Sequence, residues 1–170
     1  MIDNFTKKYG SWSVIIGASM GIGAACAREF ARNGINVVLV ARSTDKLEAL
    51  CEEIRRDYGV EAMPVTDDFT KKDCIEVLDE KIKDLDVGSA VYSAAVCYSG
   101  GFLMGTMEEY HNIMALNIEG ALLFSKYFGE RFCRQKRGGL LYLGSLAGYY
   151  SAPYTALYSG TKGFEIMLAE

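Results

Sequence analysis

The sequence predicts an α/β fold: a doubly wound parallel sheet with helices on both faces. Three observations carry this. Short apolar runs recur at 12–16, 36–40, 61–65, 89–93 and 140–144, several of them continuous, as in strands buried on both faces. Segments of helical period separate them. A glycine-rich turn joins the first run to the first helix. Strand alternating with helix closes right-handed βαβ units, which build an open sheet.

WSVII opens the sheet at 12–16, and the segment after it places Ile22, Ala25, Cys26 and Phe30 on one helical face. Gly34 is expected as the left-handed cap of that helix. NVVLV follows at 36–40, and Ser43 or Thr44 is placed to cap a second helix whose apolar face is Leu47, Leu50, Cys51 and Ile54. After EAMPV at 61–65, Ile75, Leu78 and Ile82 mark a third helix. SAVYS at 89–93 precedes a long helical stretch from Met107 to Arg134, closed by Gly138-Gly139 before LLYLG at 140–144. A last helix is expected from Tyr154 onward. No linker, repeat or charge block divides residues 1–170, so one domain is expected. The chain stops at Glu170 in mid-helix without a cap or turn residue, and the fold reads as incomplete on its carboxyl-terminal side.

The 170 residues are 50% hydrophobic, 24% charged and 12% aromatic, which suits a filled core and excludes a disordered or fibrous chain. Lys plus Arg number 18 against 22 Asp plus Glu, so the net charge is −4 and no bulk positive field exists for nucleic acid or anionic lipid. No apolar stretch is long enough for a bilayer, and MIDNFTKKYG lacks the apolar segment of a secretory signal, so a cytoplasmic location is expected. Five scattered cysteines without a C-x-x-C pair predict free, buried or half-buried thiols and no metal site. The single His111, in a helical stretch, reads as a surface or core residue rather than a ligand or base.

The turn Gly17-Ala18-Ser19-Met20-Gly21-Ile22-Gly23 has the chemistry of a phosphate cradle. Gly17 permits a tight turn, Gly21 lets a pyrophosphate approach the backbone, and Gly23 lets helix pack close to strand. Free N–H groups at the helix start, aided by its dipole, attract the phosphates. The alternative is a plain glycine-rich turn; its place between strand and helix favours a dinucleotide. At the end of the second strand no acid stands at Val40, Ala41, Arg42 or Ser43. A carboxylate there would hold the ribose of NAD and repel a 2′-phosphate, whereas Arg42 pairs with that phosphate, Ser43 donates to it and Lys46 adds field. NADP(H) is therefore expected over NAD(H), unless Arg42 is only a solvated turn residue. Met20, not being basic, weakens that preference slightly.

Tyr158 and Lys162 stand four residues apart, hence on one helical face. A cation beside a phenol stabilises phenolate, which lets a tyrosine exchange protons near neutral pH. Ser145 follows the fifth strand, at the carboxyl ends of the strands where doubly wound folds bind ligands. The competing reading is an amphipathic helix whose tyrosine packs and whose lysine snorkels.

The glycine loop, Asn117 in MALNIEG, Ser145 in GSLAGY, and Tyr158 with Lys162 occur in the order and spacing of the short-chain dehydrogenase/reductase family, which the chain resembles along its whole length. Asp68-Phe69-Thr70 and Asp84-Leu85-Asp86-Val87-Gly88 also resemble family segments. The resemblance implies a Rossmann-like fold and a set of roles. Tyr158 is implied as catalytic acid/base, and Lys162 as the group that acidifies it and holds the nicotinamide ribose. Ser145 is implied to orient the carbonyl, Asn117 to hold a water linking Lys162 to solvent, and Asp68 to contact the adenine amino group. Gly17, Ser19, Met20, Gly21, Ile22 and Gly23, with Ala94 and Ala95 after the fourth strand, are implied to lie along the cofactor. Donors from Ser145 and Tyr158 would stabilise the charge that hydride transfer builds on oxygen. Tyr154, two turns from Lys162, is the weaker candidate acid.

Two departures from the family stand out. Tyr92-Ser93-Ala94-Ala95 replaces N-N-A-G, removing the amides that brace the strand, and Ile16 replaces the threonine before the loop. The family also continues past this helix with further strands and a loop that covers substrate, so a fragment or truncated chain is expected, its fifth strand an exposed edge. The expected activity interconverts a carbonyl and a secondary alcohol; the competing reading is a dinucleotide-binding module without turnover. Apolar and aromatic residues at 96–103 and 147–154, with Tyr98, Tyr149 and Tyr150, predict a small hydrophobic alcohol or ketone substrate. Leu122, Leu123, Tyr127, Phe128, Phe164 and Met167 predict an outward apolar face for a homodimer or homotetramer.

Overall fold

The computed structural model describes residues 2–151 and 153–170; Met1, at the head of the amino-terminal segment, and Ala152, in the predicted pocket wall, lie outside the described residues. Five parallel strands, β1 (Trp12–Ile16), β2 (Asn36–Ala41), β3 (Ala62–Thr66), β4 (Val87–Tyr92) and β5 (Gly139–Tyr142), form one sheet in the order β3-β2-β1-β4-β5. The chain winds outward from β1 to β3, then returns past β1 to β4. That reversal opens a crevice at the carboxyl ends of β1 and β4. Every residue of the mostly apolar β1 and β4 is buried, Ser13 and Ser89 included. The β5 edge is only half-buried.

Helices cover both faces: α1 (Ile2–Tyr9), α2 (Gly21–Arg32), α3 (Thr44–Tyr58), α4 (Cys74–Ile82), α5 (Met107–Met114), α6 (Ala121–Gln135) and α7 (Ala156–Ala169). The sequence reading did not anticipate α1, whose eight residues give too few turns to display a period. Gly34 takes the left-handed conformation expected of it, with φ 74°.

Several expectations are corrected. The buried face of α2 is Gly23, Ala24, Ala27 and Ala31, while Ile22 is 65% exposed and Ala25 faces solvent. This helix runs so close to the sheet that only small side chains fit beneath it. The stretch from Met107 to Arg134 is not one uniform helix: a π-helical segment, Ala115–Gly120, joins α5 to α6. Its wider turn shifts the phase of α6. Phe128 consequently lies in the core with Phe124 and Phe132, and Leu123 and Tyr127 pack against that core. Of the predicted outward face, Leu122 and Met167 are exposed. Ser43 stands at the N-cap of α3 but makes no side-chain capping bond, and Thr44 instead pairs its hydroxyl with that of Thr66 at 2.8 Å.

Tyr92 takes over the bracing that the missing amides would supply. Its hydroxyl donates to the Leu116 carbonyl at 2.6 Å, tying β4 to the π-helical segment. Phe69, Phe124 and Tyr142 surround the ring, and burial pushes the phenol well above its ordinary pKa.

All five thiols are free: Cys51 and Cys74 are buried, Cys26 is half-buried, and Cys97 and Cys133 are exposed, against the expectation that all would be at least half-buried. Burial pushes the Cys51 thiol up to about 11 and Cys74 up to about 12. Maleimide is therefore expected to modify Cys97 and Cys133 first and Cys26 slowly, with Cys51 and Cys74 reacting only after unfolding. Peptide mass spectrometry over a labelling time course checks this order, and early labelling of Cys74 would contradict the packing.

Candidate functional site

A cleft of roughly 480 Å³ opens over the carboxyl ends of the central strands. The glycine turn forms its floor. Gly17 has φ 83° and Gly21 φ 58°, left-handed conformations that favour glycine. A Cβ on Gly17 would fall 2.6 Å from the Ala94 nitrogen, and one on Gly23 only 2.3 Å from the Gly17 carbonyl oxygen. A Cβ on Gly21 would meet nothing within 4 Å, because the space above it belongs to the cleft. No side chain caps the start of α2 at Met20, so its first N–H groups are left for an anion. Gly23 lies beneath, in the packing of helix on strand.

Ser19, Met20 and Ile22 line the same cleft, as do Ala94 and Ala95. At the β2 end, Arg42, Ser43 and Lys46 form an exposed rim without a carboxylate at positions 40–43. Two acids face them from the end of β3. The Asp68 Oδ1 accepts from the Thr70 backbone at 3.1 Å and its hydroxyl at 2.8 Å. Burial pushes the Asp68 carboxyl up, but the Thr70 bonds and the nearby Arg42 and Lys71 hold it below its ordinary range. Asp67, which the sequence reading missed, accepts from the Asp68 backbone at 2.7 Å through Oδ1. Its Oδ2 is buried without a partner and burial raises its pKa. The paired acids after the strand were the available signal.

The opposite end of the cleft is built by α7, which carries Tyr158 and Lys162 into it. The Lys162 ammonium lies 5.9 Å from the centre of the Tyr158 ring. It donates to the Leu143 carbonyl at 3.0 Å and to Glu165 Oε2 at 2.6 Å. Lys162 is 3% exposed and Glu165 0%. Burial pushes the Glu165 carboxyl up, and Lys162 offsets that only in part. Removing one member of so buried a pair typically costs about 3–5 kcal/mol. Glu165 also escaped the sequence reading, although a lone acid among Phe164, Ile166, Met167 and Leu168 was a visible anomaly.

The other two expected catalytic residues flank the cleft without lining it. Asn117 is wholly buried in the π-helical segment: Oδ1 accepts from the Val96 backbone at 3.0 Å, while Nδ2 donates to the Val96 carbonyl at 2.9 Å and to Thr161 Oγ1 at 3.0 Å. It clamps the loop after β4 to α7 one residue before Lys162. Ser145 accepts from the Ala147 backbone at 3.2 Å and lines a neighbouring cavity of roughly 470 Å³ with Tyr142, Tyr149 and Glu165. Tyr154 is 68% exposed with φ 68°, and its carbonyl accepts from the Gly100 backbone at 2.9 Å. That bond pins the loop after β4 to the start of α7. His111 is exposed, and among the described residues no His, Cys, Asp and Glu cluster could hold a metal ion. No described helix is long and apolar enough to cross a membrane.

Comparison with known proteins agrees with this fold. The short chain dehydrogenase family model matches residues 11–170. The chain is 35% identical over 168 residues to a 7beta-hydroxysteroid dehydrogenase of Clostridium sardiniense, covering 98% of this chain and 64% of that relative. It is 38% identical over 162 residues to a very-long-chain 3-oxoacyl-CoA reductase of Neurospora crassa, covering 92% of this chain and 49% of that one. It thus spans about half to two thirds of the length of these relatives. A solved 7beta-hydroxysteroid dehydrogenase superposes with TM-score 0.92 at 31% identity, over 96% of this chain and 63% of that one. A short-chain dehydrogenase from Sphingobium yanoikuyae in complex with NADPH does so with TM-score 0.88 at 30% identity, over 92% and 62%. With its doubly wound sheet and a family match running from the first strand through α7, this chain belongs to the short chain dehydrogenase family.

Proposed function

We propose that this chain carries the cofactor-binding and proton-transfer parts of an NADP(H)-dependent oxidoreductase that interconverts a carbonyl and a secondary alcohol. The observation that carries the reading is the presence of Tyr158 and Lys162 in one cleft with an uncapped glycine turn. The open space above Gly21 fits a pyrophosphate, Asp68 fits the adenine amino group, and Arg42, Ser43 and Lys46 fit a 2′-phosphate. Lys162 would hold the nicotinamide ribose. When bound, the nicotinamide supplies hydride for reduction and accepts it in oxidation.

The protein's own contribution is proton transfer and orientation. As the carbonyl carbon gains hydride, Tyr158 gives its hydroxyl proton to the oxygen, so the carbonyl becomes an alcohol and the phenolate regains its proton from solvent past Lys162. Ser145, next to Gly144 of the cleft, orients the carbonyl, and Asn117 holds the relaying water and, through Thr161, the middle of α7. Exposed Phe102, Leu103, Tyr149 and Tyr150 support a small hydrophobic alcohol or ketone, as do the names of the relatives. Self-association through Leu122 and Met167, and a reducing cytoplasmic setting for Cys97 and Cys133, complete the reading.

The competing reading, a dinucleotide-binding module without turnover, draws on the engagement of Lys162 by Glu165. Incubating the purified chain with NADPH and a panel of ketones separates the two: cofactor consumption with alcohol formed supports the oxidoreductase, binding without consumption the module. Arg42→Asp tests the cofactor preference. It is expected to weaken NADPH binding about tenfold or more, the loss of a charge-assisted bond, while sparing NADH. Equal losses for both would remove the argument.

A further inference from the structure

Among the described residues, Glu165 is the only carboxylate with no exposed surface. One of its oxygens is taken by Lys162 at 2.6 Å, and the other, Oε1, is buried without a partner. The charge of this carboxylate therefore leans on Lys162 alone. The groups facing it from the sheet are phenols: Tyr92 of β4, committed to the Leu116 carbonyl, and Tyr142 of β5, which shares a hydrogen bond with Ser125. Burial pushes both phenols up, so both stay neutral. Ser145, Tyr149 and Glu170 line the cavity on its other side. No second cation is among these groups.

We propose that Glu165 is a positioning residue for the Tyr158–Lys162 pair: its carboxylate draws the Lys162 ammonium toward Leu143 and offsets its charge, so that Lys162 pulls on the Tyr158 hydroxyl and on a bound dinucleotide less strongly than an unpaired lysine in the same place. The inference rests on the reading above that Tyr158 exchanges the proton. Its physical basis is distance. The carboxylate oxygen is 2.6 Å from the ammonium, whereas the Tyr158 ring centre is 5.9 Å away. At that range the phenol meets an opposed pair of charges instead of a single one, and the pair is too buried for salt to screen.

The test compares wild type, Glu165→Gln and Glu165→Asp by NADP+ affinity and by the pH dependence of kcat/KM for alcohol oxidation, which rises as the proton acceptor deprotonates. Glu165→Gln keeps the shape and removes the charge. It is expected to move the rising limb about one pH unit lower and to tighten NADP+ binding about threefold. Glu165→Asp loses one methylene of reach and is expected to shift both readouts in the same directions by less. It decides the matter alone should Glu165→Gln not fold. An unmoved limb, or weaker NADP+ binding of the kind a merely structural prop would cause, overturns the assignment. If wild type shows no turnover, or Tyr158→Phe turns over as fast as wild type, the reaction reading fails and the NADP+ affinities decide: tighter binding in Glu165→Gln upholds the role of Glu165, and unchanged or looser binding refutes it.

Discussion

Tyr158→Phe is expected to lower ketone turnover by about 10²–10⁴-fold, the usual worth of a positioned acid, while leaving NADPH affinity within about twofold. Phenylalanine preserves the ring and its packing on α7 and removes only the hydroxyl. Without that proton the substrate oxygen would have to leave the reaction as an alkoxide, which is the charge the site exists to avoid. The Lys162–Glu165 pair survives the change, because neither of its contacts involves the phenol. Tyr154→Phe is the control. Tyr154 is largely exposed and its structural bond runs through its backbone carbonyl, so its hydroxyl is expected to be dispensable. Steady-state kcat and an NADPH fluorescence titration on the two variants give the comparison. Full turnover by Tyr158→Phe would move the acid elsewhere.

The second large effect lies in the glycine turn, where substitutions two residues apart are expected to behave differently. An added methyl at Gly23 would sit 2.3 Å from the Gly17 carbonyl oxygen and 3.0 Å from the Ser93 hydroxyl. The first contact is with backbone, which cannot rotate away, so α2 must lift from β1. Overpacking of this kind costs about 1–3 kcal/mol, and it also displaces the N–H groups that face the cleft. Gly23→Ala is expected to lose both stability in urea and at least about tenfold in NADPH affinity. At Gly21 the added methyl meets no protein atom within 4 Å, and the fold bears only the left-handed backbone of an alanine, about 1–2 kcal/mol. Gly21→Ala is expected to stay folded and yet lose NADPH binding, since the methyl occupies the space assigned to the pyrophosphate. Normal binding by Gly21→Ala would place the phosphates somewhere else.

Both experiments concern residues that are legible in the sequence. The strands showed because a strand buried on both faces is mostly apolar, and β1 and β4, fully buried, depart from that only at Ser13 and at Gly88-Ser89. The cofactor end showed because left-handed backbone and close approach both select glycine, and Gly17, Gly21 and Gly23 cluster where β1 passes into α2. Tyr158 and Lys162 showed because four residues make one helical turn. Asp67 and Glu165 did not. Each is an ordinary charged residue until a neighbour distant in the chain buries it.

Local pattern by itself thus determined the alternation of strand and helix, the place of the glycine turn and the pairing of phenol with ammonium, since all three depend on residue types within a few positions of one another. Only the tertiary structure decided which side chains meet. It turned the alanine face of α2 inward in place of Ile22, rotated Phe128 into the core through the π-helical turn, set Ser145 on a neighbouring cavity and gave Lys162 to Glu165. These outcomes depend on the separation and phase of packed elements, quantities that spacing along one chain does not encode.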